Sequence, residues 1–287
     1  MNNNIEIINS NIALIHEIGK MDDSEGILKH PDRIMPDLNV FVYVINGRLQ
    51  INEDGKSHIL EKGSYLFLRK NVHHWGEDYY QPGSEWYYIH FFNHSLSSNT
   101  AEYSPYGKTS LIHQDEYQSK VTLPKFGTVS QKEYIISQLD KLLELFDSSH
   151  PLRPMLTSMQ LHQFFLELYL EYLESYADKK PNRMVVKMIS YIDEANKKVS
   201  SQEIADSLGM NYAYLSTLFK EYTGKSVTQY QNEIMIEKAI QLFRKENMNV
   251  SEVSEQLGFS NPFYFSRVFK KVTGLSPSAY LQQIYRY

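Results

Sequence analysis

The chain has 287 residues, 42% of them hydrophobic, which is enough to bury a sizeable core and points to about two domains. It contains no cysteine, which excludes disulfides, thiolate nucleophiles and cysteine-ligated zinc. The net charge of −5 hides a gradient: residues 1–180 carry 16 Lys and Arg against 24 Asp and Glu, whereas residues 181–287 carry 13 against 10, so only the last third has the balance a polyanion would attract.

No apolar run approaches the roughly 18 residues of a bilayer span, and residues 1–20 lack the basic, apolar, small-residue order of a secretory leader. The expectation is a cytoplasmic protein. From Leu38 to Phe92 short β-branched and aromatic runs alternate with turn residues: Val40 to Ile45, Asn46-Gly47, Leu49 to Ile51, Asp54-Gly55, Ile59-Leu60, Lys62-Gly63, Tyr65 to Leu68, Tyr87 to Phe92. This is strand and hairpin punctuation. Such strands must close into a small sandwich or barrel to bury a face, so residues 1–125 are expected to form a β domain.

After Pro124 the period becomes helical. Ile135, Leu139, Leu142, Leu143 and Phe146 share one face, and Met155, Met159, His162, Phe165, Leu166 and Tyr169 share the face of a second helix. Residues 126–176 are therefore expected to form a helical hairpin, with one face on the β domain and the other suited either to a second copy of the chain or to packing within the chain. The polar stretch around Pro181 places a linker at residues 177–183.

The last third, residues 184–287, contains an internal repeat. Tyr214 to Tyr230 aligns with Tyr264 to Tyr280 at an offset of 50, with identity at eight of seventeen positions: Tyr214/Tyr264, Ser216/Ser266, Phe219/Phe269, Lys220/Lys270, Thr223/Thr273, Gly224/Gly274, Ser226/Ser276 and Tyr230/Tyr280. Upstream, Ile204, Leu208 and Gly209 match Val253, Leu257 and Gly258 at an offset of 49. Each copy reads helix, glycine turn, helix, at about 201–222 and 251–273, with Asn211 or Ser260 capping the helix after the turn. Leu215, Leu218 and Phe219 form one inner face and Phe265, Val268 and Phe269 the other. Ser216, Thr217 and Lys220, and Ser266, Arg267 and Lys270, are left outside. Two such units separated by an apolar helix (Tyr230 to Phe243) suit successive major-groove faces ~34 Å apart. On chemistry alone Arg267 is the strongest base reader, while Lys220, Lys270 and Lys271 suit phosphates.

These residues resemble the AraC/XylS family of transcription regulators. The resemblance is carried by Tyr214-Leu-Ser-Thr-Leu-Phe-Lys, by Val253-Ser-Glu-Gln-Leu-Gly-Phe-Ser-Asn-Pro-Phe-Tyr-Phe-Ser-Arg-Val-Phe-Lys-Lys and by Thr273-Gly-Leu-Ser-Pro. It implies that Ala213, Ser216 and Thr217 in the first recognition helix, and Asn261, Phe263, Ser266 and Arg267 in the second, face the bases. Thr217, Met235 and Leu281 stand where the family commonly has arginine, which removes three cations.

The first half is similar to the cupin-type effector domain of sugar-responsive members of that family, through Asp32-Arg33, Gly47, Gly63, His73-His74-Trp75-Gly76 and Glu85-Trp86-Tyr87-Tyr88-Ile89-His90-Phe91. That resemblance implies an α+β multidomain protein: an N-terminal cupin-like β-barrel with a helical hairpin, and a C-terminal all-α domain with two helix-turn-helix motifs. It selects Arg33, His73, Trp75, Tyr88 and His90 as ligand-binding residues, a sugar or oligosaccharide as effector, promoter DNA as partner, a homodimer with contact to RNA polymerase, and activation over repression. Strand alternation puts Trp86, Tyr88 and His90 on one face and Tyr87, Ile89 and Phe91 on the other. Aromatic rings beside His and Arg make a chemically sensible carbohydrate site. A non-sugar ligand or a protein partner is the alternative. A metal-dependent cupin enzyme is disfavoured, because adjacent His73 and His74 point to opposite faces of a strand and cannot jointly chelate. No cofactor, metal or catalytic residue is expected.

Overall fold

The computed structural model describes residues 4–93, 100–105, 114–177, 180–246 and 248–284. The chain divides into two compact units, Met1–Tyr103 with Gln114–Ser175, and Ser104–His113 with Tyr176–Tyr287. No helix among the described residues is long and apolar enough to cross a membrane.

The first unit is built from β1 (Ile5–Ile8), β2 (Leu14–Asp23), β3 (Arg33–Ile34), β4 (Asn39–Asn46), β5 (Arg48–Glu53), β6 (Lys56–Glu61), β7 (Ser64–Leu68), β8 (His73–Trp75) and β9 (Ser84–Phe92). The chain continues through a short helix α1 (Gln114–Tyr117), β10 (Lys120–Leu123), β11 (Phe126–Thr128), α2 (Lys132–Asp147) and α3 (Arg153–Ala177). A five-stranded sheet has the order β11-β7-β4-β9-β2, a four-stranded sheet runs β3-β8-β5-β6, and β1 pairs with β10. The named strands pair antiparallel throughout.

The expected barrel does not appear: among the described residues the sheets stay open, with β11, β2, β3 and β6 each at an edge. The physical reason is the hairpin. β4 is buried from Asn39 to Val44 without a break, because both faces of the larger sheet are covered. Phe41, Tyr43, Tyr65, Phe67, Tyr87, Ile89 and Phe91 point to one side and form a core with Ile135, Leu139 and Leu142 of α2 and Leu161, Phe164, Phe165 and Leu168 of α3. Val40, Val42, Val44, Leu66, Leu68 and Trp86 point to the other side and pack with Leu49, Ile51 and Leu60 of the smaller sheet. A sheet covered on both faces has no need to roll up around its own interior.

On α3 the expected inner face holds from its third turn, where His162, Phe165 and Tyr169 are buried, but not in its first two, where Met155 and Met159 are 60% and 59% exposed; Leu161, Phe164 and Leu168 widen the buried stripe. Phe165 anchors the stripe as the sequence predicts, its ring meeting Phe41, Phe67 and Phe91 at centroid distances of 5.9, 5.4 and 5.0 Å. The residues expected to be a linker are largely helical, since α3 ends at Ala177 and α4 (Lys180–Glu194) already includes Pro181, whose missing N–H costs nothing in a first turn. Residues 178 and 179 lie outside the described residues.

The second unit continues with α5 (Ser201–Leu208), α6 (Tyr212–Thr223), α7 (Val227–Glu246), α8 (Val250–Gln256), α9 (Pro262–Thr273) and α10 (Pro277–Ile284). One core serves both halves of the repeat: Phe219 of the first meets Tyr230 on α7, Phe265 and Phe269 of the second meet Phe243 on the same helix, and Met235, Ile236 and Ala239 lie between.

Candidate nucleic-acid interface and a cavity in the first unit

Both helix-turn-helix units are punctuated by backbone chemistry written in the sequence. Ser200 and Glu203 form a capping box at the start of α5, and Asn249 and Glu252 form one at the start of α8. Gly209 and Gly258 turn the chain at φ 64° and 71°, a region that side chains with a Cβ enter only at a cost. Asn211 then caps α6, accepting from the Ala213 N–H at 2.8 Å. In the second unit the cap is Asn261, not Ser260: its side-chain oxygen accepts from the Tyr264 N–H at 2.7 Å. The residue that shifts the repeat offset from 49 to 50 lies between Gly258 and this cap, so Asn261, at offset 50 from Asn211, holds the equivalent place.

The inner faces are as the sequence predicts. Leu215, Leu218 and Phe219 are buried, and so are Phe265, Val268 and Phe269. The outer face of α6 exposes Ala213, Thr217 and Lys220, with Ser216 half-buried; the Ser216 and Thr217 hydroxyls both donate to the Ala213 carbonyl at 3.0 Å. The outer face of α9 exposes Asn261, Phe263, Arg267, Lys270 and Lys271, with Ser266 half-buried. The Arg267 guanidinium lies 5.8 Å from the Tyr264 ring centroid, a cation–π contact that steadies it. Lys198, which the repeat does not reveal because it precedes α5, sets its ammonium 4.7 and 4.9 Å from the Phe259 and Tyr264 rings. Met235, at one of the arginine-depleted positions, is fully buried, so this side chain belongs to the core of α7 and presents no charge. Leu281 likewise packs against that core.

The first unit contains a cavity of about 370 Å³ lined on its polar side by Glu17, Lys29, His30, Arg33, Tyr80, Tyr88 and His90. Met21, Leu28, Pro31, Val40, Val42 and Trp86 supply its apolar wall. Of the residues selected from sequence, Arg33, Tyr88 and His90 come together here. His73 and Trp75 do not line it: they stack on each other at 4.7 Å, and His73 pairs with Asp32 at 2.7 Å near the surface. The reason is strand alternation on β8, which turns His74 inward and sends both neighbours out. Glu17, His30, Tyr80 and Trp86 stand beside them in the lining. The β9 alternation identifies Trp86; Glu17 and His30 come from segments with no sequence signal of their own.

The polar groups form two networks. Glu17 accepts from the Tyr88 hydroxyl and from His90 Nδ1, both at 3.0 Å. Since the Arg33 guanidinium only donates, its contact at 3.2 Å makes His90 Nε2 the acceptor, and His90 is the neutral Nδ1–H tautomer. Burial and the neighbouring Arg33 charge keep the His90 pKa below its ordinary value against the opposing pull of Glu17. Behind it, His30 bonds His74 at 2.7 Å and the Tyr80 hydroxyl at 3.2 Å. Burial pulls the His30 pKa down to about 3, helped by the His74 and Arg33 charges, and pulls His74 down to about 4. The Arg33 Nε–H is buried without a hydrogen-bond partner. Such a set offers donors to an incoming polar ligand and an apolar wall to its carbon skeleton.

Residues 204–283 match the model of a helix-turn-helix domain, and residues 39–175 match that of the ExsA N-terminal regulatory domain. The chain is 24% identical to the uncharacterized HTH-type transcriptional regulator YisR of Bacillus subtilis, over 91% of this chain and 93% of YisR. It is 24% identical to the arabinose operon regulatory protein of Escherichia coli, over 82% of this chain and 77% of that protein. It is 40% identical to the uncharacterized transcriptional regulatory protein YesN of Bacillus subtilis over 40% of this chain, spanning about a third (32%) of the length of that relative. With the paired helix-turn-helix fold, these matches support a DNA-binding transcriptional regulator of AraC type. For the first unit the matched model is the ExsA regulatory domain, where the sequence resemblance points to a sugar-sensing cupin domain.

Proposed function

We propose that the protein activates promoters of carbohydrate-utilisation genes, binding their DNA as a homodimer through α6 and α9 when a small sugar-like molecule occupies the cavity of the first unit. The observation that carries the reading is the doubled helix-turn-helix: two units with matched buried faces that leave Ala213, Ser216, Thr217 and Lys220, and Asn261, Phe263, Ser266, Arg267, Lys270 and Lys271, on their outer sides. Recognition helices of this kind read base edges with their first turns and phosphates with flanking cations.

The sugar reading is supported by Trp86 beside Arg33, Tyr88 and His90, an aromatic face among hydroxyl partners, and by the similarity to the arabinose operon regulatory protein. A cupin-like role for the sheets rests on the same cavity. The homodimer is supported by Met155, Met159 and Leu170, which stand exposed along α3. RNA polymerase is the partner an activator would engage from the promoter. A non-sugar effector remains the second reading, favoured by the unpartnered Arg33 Nε–H, which suits a carboxylate as well as a hydroxyl.

The test is a gel-shift assay on DNA flanking the protein's own gene, across a salt series and with a panel of mono- and oligosaccharides. Sequence-specific retardation altered by one sugar is the expected result. Specific retardation indifferent to every sugar overturns the carbohydrate part, and purely non-specific binding with a steep salt dependence overturns the regulator reading. Trp86 lines the cavity, so its fluorescence reports ligand entry independently of DNA.

A further inference from the structure

The two recognition helices share their inner residues but differ outside. Phe263 occupies the place that Ala213 holds in the first copy, and Arg267 the place of Thr217. Phe263 is 87% exposed, more than any other large hydrophobic side chain among the described residues. It lies in the first turn of α9, directly after Pro262, which opens the helix. Four residues on, and so on the same helical face, stands Arg267, with Lys270 one turn later. The Tyr264 ring, by contrast, is held between Phe259, Lys198 and Arg267 and is part of the packed scaffold.

An apolar ring this exposed, at the leading turn of a helix and flanked by cations, fits one surface better than others. In the major groove the cations meet phosphates and guanine edges, and the one apolar feature of the base edges is the C5-methyl group of thymine. We propose that Phe263 reads a thymine by contact with its C5-methyl group, beside the base contacted by Arg267, and so gives the second motif a selectivity that Ala213 does not give the first. This rests on the DNA-binding reading above.

The experiment begins with selection of binding sites from a random-sequence duplex library by the full-length wild-type chain and by Phe263→Ala. Each invariant thymine in the selected site is then replaced by uracil, which removes only the methyl group. Wild type should show one thymine next to the Arg267-dependent position whose replacement by uracil weakens binding about fourfold, the worth of one buried methyl. Phe263→Ala should lose the preference at that position alone and bind thymine and uracil equally there, and Phe263→Leu should keep part of it. Because the side chain is exposed, both variants should unfold at the wild-type temperature. Uracil tolerated by wild type at every position, or an unchanged selection profile in Phe263→Ala, overturns the proposal and leaves DNA binding standing. No sequence enriched by wild type overturns the DNA-binding reading itself.

Discussion

Mild acid should destabilise the first unit at pH values where carboxylates are still ionised. His30 and His74 are 6% and 1% exposed and bonded to each other at 2.7 Å, and burial holds them neutral with pKa values of about 3 and about 4. In the unfolded chain both titrate near their ordinary value of about 6.5. At pH 7.5 neither state is protonated, and the pair contributes no pH dependence. Below about pH 6.5 the unfolded chain takes up protons that the folded chain refuses, so stability falls by about 1.4 kcal/mol per pH unit for each histidine. At pH 5 the loss reaches about 2 kcal/mol each, and about 4 kcal/mol for both, equivalent to a drop of about 8–16 °C in the unfolding midpoint. Both tryptophans, Trp75 and Trp86, lie in the first unit, and so does every histidine except His113. Tryptophan-monitored thermal unfolding at pH 7.5 and 5.0 therefore reports the first unit, where burial also lowers the pKa values of His58, His90 and His162; the part of the shift lost in a variant lacking His30 and His74 belongs to the pair, and His74→Gln should remove about half of that part. An unfolding midpoint that does not move between these pH values, or a shift of equal size in a variant lacking both histidines, refutes the reasoning.

Arg267→Ala should weaken specific DNA binding by about 1–3 kcal/mol with little change on random DNA, whereas Lys270→Ala should weaken both and lower the salt slope by about one, as read by titration at several salt concentrations. Phe165→Ala, which empties the ring packed against Phe41, Phe67 and Phe91, should cost about 3–5 kcal/mol of first-unit stability in denaturant unfolding. Asn249→Ala removes both side-chain acceptances at the start of α8 and should cost about 0.5–2 kcal/mol, with loss of helix signal on heating at a lower temperature.

The second unit was the more legible from sequence, because its information is local: glycines at the turns, caps one or two residues later, and apolar spacing repeated in two copies. Even there a single inserted residue misplaces the cap on Ser260 when Asn261 holds it. In the first unit the core strands announce themselves through turn-bounded β-branched runs. β2 does not, because an edge strand such as Leu14–Asp23 alternates Glu17, Lys20 and Asp22 with apolar residues and is fixed only by its pairing with β9. Which further residues of α3 join the buried stripe, and that Met155 and Met159 fall outside it, depends on which rings meet across the sheet, a long-range fact that periodicity alone cannot hold. The cavity shows the same limit. Arg33, Tyr88 and His90 could be named from strand alternation and resemblance, but His30 and Glu17 reach them through tertiary folding alone.

β9 carries two independent alphabets. Its residues 87, 89 and 91 bind the hairpin, and residues 86, 88 and 90 line the cavity. Changes at one set leave the other's neighbours untouched, so the strand can drift toward a new ligand while its hold on the helices stays under unchanged selection. A library randomised at the even positions with the odd ones kept is thus a direct route to altered effector preference on a preserved scaffold.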